Sequence, residues 1–393
     1  MKKTLTLSVL FCALFILSAM AQTKDIQDVV ASVKEKHAPD TRVEVFDIKA
    51  LQRGDSLVLK GKTTNVAAYR ELISEAKKLS PKVKDSILLL PDRKLCEKTW
   101  GVVYNSAAYI REEGGYDAEI VTQALMGTPL RILEQKGVWR RVQTPDKYIG
   151  WVNGSVEPMT KKELQTHLST PQIVITSFYA RSYEKPDLDA QPVSDLVAGD
   201  RLALKRVSGN YFHVVYPDGR EAYIVKRDAA REKDWLKSIE LTGENIVSTA
   251  CRFKGVPYFW GGTSTKGVDC SGFTKTVYFL NGIILARDAS QQVKYGIDAD
   301  PDGTFEGLQQ GDLMFFGTKP NAENPKERVV HVGIYIGDKR FIHASDYIRI
   351  SSFNPDDALY DEYNTKRYLR SKRIIGAVNT KGIDEIRENE FYQ

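Results

Sequence analysis

Apolar residues recur at Ile26, Val29, Val30 and Val33, three and four apart, the period of a helix that buries one face. Extended stretches follow at Val43 to Ile48 and Leu57 to Leu59, then a second helical pattern from Ala67 to Leu79. Ser80-Pro81 ends it, because a proline keeps the residue before it out of the α region. With a strand at Ile87 to Leu90, residues 22–97 read as a small α+β domain. Beyond it the period shortens to two. Glu119 to Leu125, Pro129 to Glu134, Trp139 to Gln143 and Gly150 to Val152 alternate between turns at Gly114-Gly115, Gly127 and Gly137. Asp200 to Leu204, Tyr211 to Tyr216 and Ala222 to Val225 repeat the scheme. Gly137-Val138-Trp139 and Gly150-Trp151-Val152 parallel Gly209-Asn210-Tyr211-Phe212 and Glu221-Ala222-Tyr223-Ile224. Two β-barrels are therefore predicted, over 98–160 and 168–235. Residues 240–380 are mixed: a helix from Glu244 to Phe253, another starting near Cys270, and strands at Leu313 to Phe316, Val329 to Ile336 and Arg340 to Ala344.

The first 21 residues stand apart. Lys2 and Lys3 precede an apolar run, Leu5 to Leu17, and Ala19-Met20-Ala21 offers a small-x-small cleavage site. The run is shorter than the roughly 20 residues that cross a bilayer. It reads as a signal peptide, 1–21, with the mature chain starting near Gln22. The protein is expected to be exported, periplasmic or extracellular, with no membrane span after cleavage. Removing Lys2 and Lys3 takes the net charge from +5 to +3. No basic stripe interleaves with aromatics, so nucleic acid is not an expected partner. Cleavage also removes Cys12 and leaves Cys96, Cys251 and Cys270. An odd number in an exported chain points to a free thiol, with a Cys96–Cys251 bridge possible. No Cys/His group has zinc spacing, and neither a metal nor a cofactor is expected. A monomer is expected.

Chemistry concentrates in Gly267-Val268-Asp269-Cys270-Ser271-Gly272-Phe273. Phe273, Val277 and Leu280 have helical spacing and Asp269 is a favoured N-cap, which puts Cys270 in the first turn of a helix. Unpaired backbone N–H groups there favour a thiolate, and small Ser271 and Gly272 leave room for a substrate. A buried structural cysteine fits the same local pattern. A base separates the two readings. His331 and His343 lie in strands joined by Gly337-Asp338-Lys339. A two-residue loop, Asp338-Lys339, pairs 336 with 341 and sets the histidines on opposite faces. A three-residue bulged loop pairs 336 with 340, sets His343 opposite Gly333, and brings the two rings together on one face. His331 would then take the thiol proton while His343 orients its ring.

Asp269 to Phe273, the preceding Pro257-Tyr258-Phe259-Trp260-Gly261-Gly262, Gly311-Asp312-Leu313 and the two histidine segments together resemble the NlpC/P60 cell-wall peptidases. The resemblance implies an α+β, papain-like catalytic domain over 240–380, preceded by two SH3-like β-barrels and the small N-terminal α+β domain, itself similar to BON-type units. It implies a thiol protease of the hydrolase class with Cys270 as nucleophile, His331 as base, His343 as orienting member and Tyr258 shaping the oxyanion site. The barrel-barrel-peptidase order resembles the γ-D-glutamyl-L-diamino acid endopeptidases, also called dipeptidyl-peptidase VI. That likeness implies a peptidoglycan-derived peptide, L-Ala-γ-D-Glu-diamino acid, as partner, cut in peptidoglycan turnover or recycling. Glu119, Tyr148, Asp269, Ser271, Asp288 and Ala289 are then its expected contacts, acids pairing with the free ammonium. Intact cross-linked peptidoglycan is the alternative substrate, with the barrels as wall anchors. A non-catalytic wall-binding protein is the alternative of another class. Thr318 to Arg328 is a longer insert than the family usually carries.

Overall fold

The computed structural model describes residues 26–53 and 56–393, in two compact units that divide after Cys96. The signal peptide expected over 1–21, with Cys12, lies outside the described residues. In the first unit a helix over 26–37 turns Ile26, Val30 and Val33 inward. Phe46–Arg53 pairs antiparallel with Ser56–Thr63, and Val83–Leu89 joins Ser56–Thr63 in parallel across the helix Val66–Leu79. Asn65 caps that helix, accepting from Ala68 N at 2.9 Å. The first strand starts at Phe46 and not at Val43, because 41–44 is a turn that Asp40 ties back to Arg42.

The second unit contains two seven-stranded sheets of one topology. In sheet order the first runs Val156–Met159, Trp100–Val103, Pro129–Lys136, Trp139–Gln143, Ile149–Asn153, Ala107–Arg111, Ile120–Leu125. The second runs Ala229–Arg231, Gln172–Ile175, Arg201–Ser208, Tyr211–Val215, Glu221–Val225, Tyr179–Tyr183, Pro192–Val197. Each sheet thus takes its chain-order strands as seventh, first, fourth, fifth, sixth, second, third. The strands that alternate clearly in sequence are the central ones. The helix between the sheets, Lys161–Ser169, was not expected, although Thr160 and Glu163 form a capping box legible as Thr-x-x-Glu.

A six-stranded sheet follows, in the order Ile297–Asp298, Tyr368–Arg373, Leu313–Thr318, Arg328–Gly337, Arg340–Ala344, Ile348–Ser352. Alternation sorts its side chains into two faces. Leu313, Phe315, Val332, Ile334, Ile342 and Ala344 pack in one core with Phe273 and Val277 of the helix Cys270–Leu280. Met314, Phe316, Tyr335, Phe341, Phe353 and Tyr368 form a second core on the other face. Thr318 to Arg328 lengthens the hairpin between the strands Leu313–Thr318 and Arg328–Gly337, with its 319–327 tip exposed.

Past this sheet the chain returns to the barrels. Ile383–Glu385 pairs with Ile283–Leu285, and Asn389 Nδ2 donates to Pro145 O at 3.1 Å. Phe391 sets its ring against the edge of Trp100, centroids 5.4 Å apart. The Arg201 guanidinium of the second barrel stands 4.5 Å from the Tyr392 ring. Among the described residues the three thiols, Cys96, Cys251 and Cys270, are all free, so the possible Cys96–Cys251 bridge is not formed.

Candidate active site

Cys270 opens its helix, and Asp269 caps it by accepting from Gly272 N at 2.7 Å. The same carboxylate takes Ser271 Oγ at 3.3 Å, Gly261 N at 3.0 Å, and Arg287 at both oxygens, 3.1 and 2.5 Å. Arg287 Nη1 also donates to Ser271 Oγ at 3.1 Å. All three side chains are buried. Asp269 and Ser271, expected as substrate contacts, thus also hold hydrogen-bond partners inside the protein. A Cβ on Gly272 would sit 1.9 Å from Gly262 O, so its bareness lets the helix press against the preceding loop.

The helix terminus, expected to favour a thiolate, meets opposing effects here. Burial, followed by the Asp269 charge, pushes the Cys270 thiol up to about 12. Backbone N–H groups of Val332 and Ser271 and the Arg287 charge pull the other way without prevailing. Desolvation outweighs the helix terminus at a sulfur this deep. The Val332 contact sets the sulfur beside the residue that follows His331.

The histidine register comes about differently from either loop considered. Gly337 pairs with Arg340 around a two-residue turn, Asp338 and Lys339 at φ 52 and 57. Such left-handed pairs match strand twist in a tight hairpin. The pairing then slips by one residue between Tyr335 and Gly337, so that His343 faces Gly333. The bulge sits in the strand rather than in the loop, and it returns both histidines to one face. His331 Nε2 lies 2.8 Å from His343 Nδ1. His343 is fully buried; its Nε2 lies 3.1 Å from Ser351 Oγ and 4.0 Å from Asp361 Oδ2. Burial lowers both rings, His331 to about 3 with help from His343 and Arg367, and His343 to about 4. Asp361 opposes the shift at both. Burial thus favours the neutral form of the thiol and of both imidazoles. Ser351 and Asp361 were missed in the sequence, where no signal placed the strand Ile348–Ser352 beside Arg340–Ala344.

Tyr258 is half-buried, and its hydroxyl is raised first by burial and then by the Cys270 and Asp269 charges. The loop that holds it is gripped from both barrels. Gln123 accepts from Thr263 N at 2.8 Å, and Thr265 Oγ donates to Phe178 O at 2.8 Å. Glu119, exposed at the first barrel's rim, accepts from the Trp260 indole N–H. Tyr148 is buried, and it raises Arg287 together with Asp269 and Asp288 against the effect of burial. Asp288 lies 3.8 Å from Arg287 and N-caps the helix Ala289–Gln292, whose Gln291 accepts from Asp288 N at 3.1 Å. That helix stops at Gln292, and Ala289 is buried in its first turn. Tyr148 and Asp288 thus converge on one guanidinium. Among the described residues no His, Cys, Asp and Glu group is spaced to hold a metal ion.

The NlpC/P60 family model matches residues 255–373, and the bacterial dipeptidyl-peptidase SH3 domain model matches 110–155. The γ-D-glutamyl-L-lysine dipeptidyl-peptidase of Bacillus cereus is 30% identical over 262 residues, 64% of this chain and 76% of that one. Dipeptidyl-peptidase 6 of Lysinibacillus sphaericus is 28% identical over 275 residues, 66% of this chain and 93% of that one. The crystal structure of an NlpC/P60 family protein from Bacillus cereus superposes with a TM-score of 0.58 at 25% identity, over 70% of this chain and 99% of that one. The expected architecture, an NlpC/P60 domain behind SH3-type barrels with mixed α and β content, is the one found, and the chain belongs to the NlpC/P60 family.

Proposed function

We propose that the protein is a cysteine peptidase that releases L-Ala-γ-D-Glu from murein peptides by cutting the bond between γ-D-Glu and the diamino acid. The observation that carries the reading is the 2.8 Å contact between His331 and His343 beside the helix that presents Cys270. With Nε2 of His331 given to His343, its Nδ1 is the nitrogen left to take the thiol proton. That role requires His331 Nε2–H to donate to His343 Nδ1 and His343 Nε2–H to donate to Ser351 Oγ, one of the two arrangements these contacts allow.

In this mechanism the proton leaves sulfur as sulfur attacks the carbonyl, since neither partner is charged beforehand. The imidazolium that forms is held by His343 and by the nearby Asp361 charge. It then protonates the departing nitrogen, and water hydrolyses the thioester by the same route in reverse. Tyr258 serves the developing oxyanion. Glu119, Tyr148 and Asp288 receive the free L-Ala ammonium, which explains why a barrel is built against a peptidase cleft. Relatives named as dipeptidyl-peptidases support this substrate class. A murein substrate would place the action in the periplasm or outside the cell; among the described residues no helix is long and apolar enough to cross a membrane.

The test compares L-Ala-γ-D-Glu-diaminopimelate with its N-acetylated form. The free peptide is expected to be cut and the acetylated one spared. Equal cleavage would favour intact wall as substrate, and no cleavage of either would favour a binding role.

A further inference from the structure

Resting on that peptidase reading, we infer that Arg349 and Arg367 bind the α-carboxylate of the diamino acid, so that the preferred substrate ends at that residue. Arg349 is paired directly opposite His343 on the edge strand Ile348–Ser352. Opposite residues share a face, so Gly333, His343 and Arg349 form one row across three neighbouring strands, with His331 a diagonal neighbour on the same face. Arg367 approaches from the other side of the sheet. Its carbonyl accepts from Gly317 N at 2.9 Å, and the next residue, Tyr368, pairs with Phe316, which itself pairs with His331.

Three other arginines of this sheet have an acid: Arg340 has Asp357, Arg370 has Glu327 and Arg373 has Asp312, while Arg328 is exposed at the start of its strand with no acid among the described residues. Among the described residues Arg349 and Arg367 have none. Arg367 stands over the Tyr363 ring at 4.4 Å, and Arg349 Nε is buried without a hydrogen-bond partner. A buried guanidinium N–H left unpaired costs free energy, and a carboxylate is the group whose geometry matches the fork.

The reaction fixes which carboxylate. His331 must deliver a proton to the departing nitrogen, so the leaving residue lies on the imidazole side of the cleft. Its α-carboxylate is two bonds from that nitrogen. The γ-glutamyl side faces the other way, toward Tyr258, Tyr148 and Asp288. Binding also feeds back on the chemistry. Both arginines hold His331 away from its cationic form, and an anion between them relieves that effect when the imidazolium has to form.

The experiment uses L-Ala-γ-D-Glu-L-Lys, which has a single carboxylate on its leaving residue, against the same peptide with a C-terminal amide. The wild-type chain is expected to show a kcat/KM roughly ten- to a hundredfold lower on the amide, the worth of a charge-assisted hydrogen bond or two. In the Arg349→Gln, Arg367→Gln double variant the ratio of acid to amide turnover should fall towards one. Equal turnover of acid and amide by the wild-type chain overturns the arginine assignment and leaves the peptidase reading standing. Failure to cut either peptide overturns both.

Discussion

Asp269 and Arg287 form a two-point ion pair in the interior, Oδ1 to Nη1 at 3.1 Å and Oδ2 to Nη2 at 2.5 Å, directly beneath the turn that presents Cys270. The remaining capacity of the carboxylate goes to Gly272 N, Gly261 N and Ser271 Oγ, so one acid ties together the helix, the loop before it and the segment entering Asp288.

Breaking this pair from one side leaves an uncompensated buried charge. Arg287→Met is expected to lower stability by about 3–5 kcal/mol, read as a shift of the urea unfolding midpoint. A loss below about 1 kcal/mol would show the charge to be solvated after all.

The histidine pair makes folding depend on pH. Both rings sit below the ordinary 6.5 in the folded protein, near 3 and near 4. The unfolded chain therefore binds more protons as pH drops from about 6.5, and stability falls through that window while being complete above it. Melting temperatures between pH 7 and pH 4 should decline in the wild-type chain. The decline should be shallower in His343→Asn, and an equal slope in both would remove the histidines as its source.

Thiol reactivity offers a separate check on the neutral ground state. With Cys270 pushed up to about 12, its alkylation by iodoacetamide should keep accelerating up to pH 10. Labelling followed by mass spectrometry reports it site by site. A plateau below pH 8 would mean that a thiolate is already formed at the helix terminus.

Ser351 lies 3.1 Å from His343 Nε2 and fixes the ring that orients the proposed base. Ser351→Ala is expected to lower kcat roughly tenfold with KM little changed, the scale of one lost hydrogen bond. Ser351→Thr keeps the hydroxyl and should recover most of the rate, which a purely structural role would not predict for so tight a site.

Phe391 is buried against Trp100, and Phe391→Ala should cost about 3–5 kcal/mol of stability, measured by denaturant unfolding. An unchanged midpoint would mean that the returning segment does not hold the barrels in place.

Much of this architecture was legible because local patterns and tertiary demands agree. The Asp269 cap, the helix after Cys270 and the central barrel strands all follow from spacing and turn residues. Register was legible only as a choice, since a one-residue bulge at Ile336 leaves no mark in composition. The buried partner that Asp269 holds was not legible either. Its partner Arg287 lies eighteen positions on, in a segment read for its neighbour Asp288. The depth that suppresses the Cys270 thiolate arises from packing between strands far apart in sequence, which no window of residues contains.

The segment from Ile383 to Tyr392 touches the catalytic domain and both barrels at once. A strap of this kind ties the catalytic domain to both barrels at a set spacing. Under the function proposed above, the barrels would then limit which peptides reach the cleft.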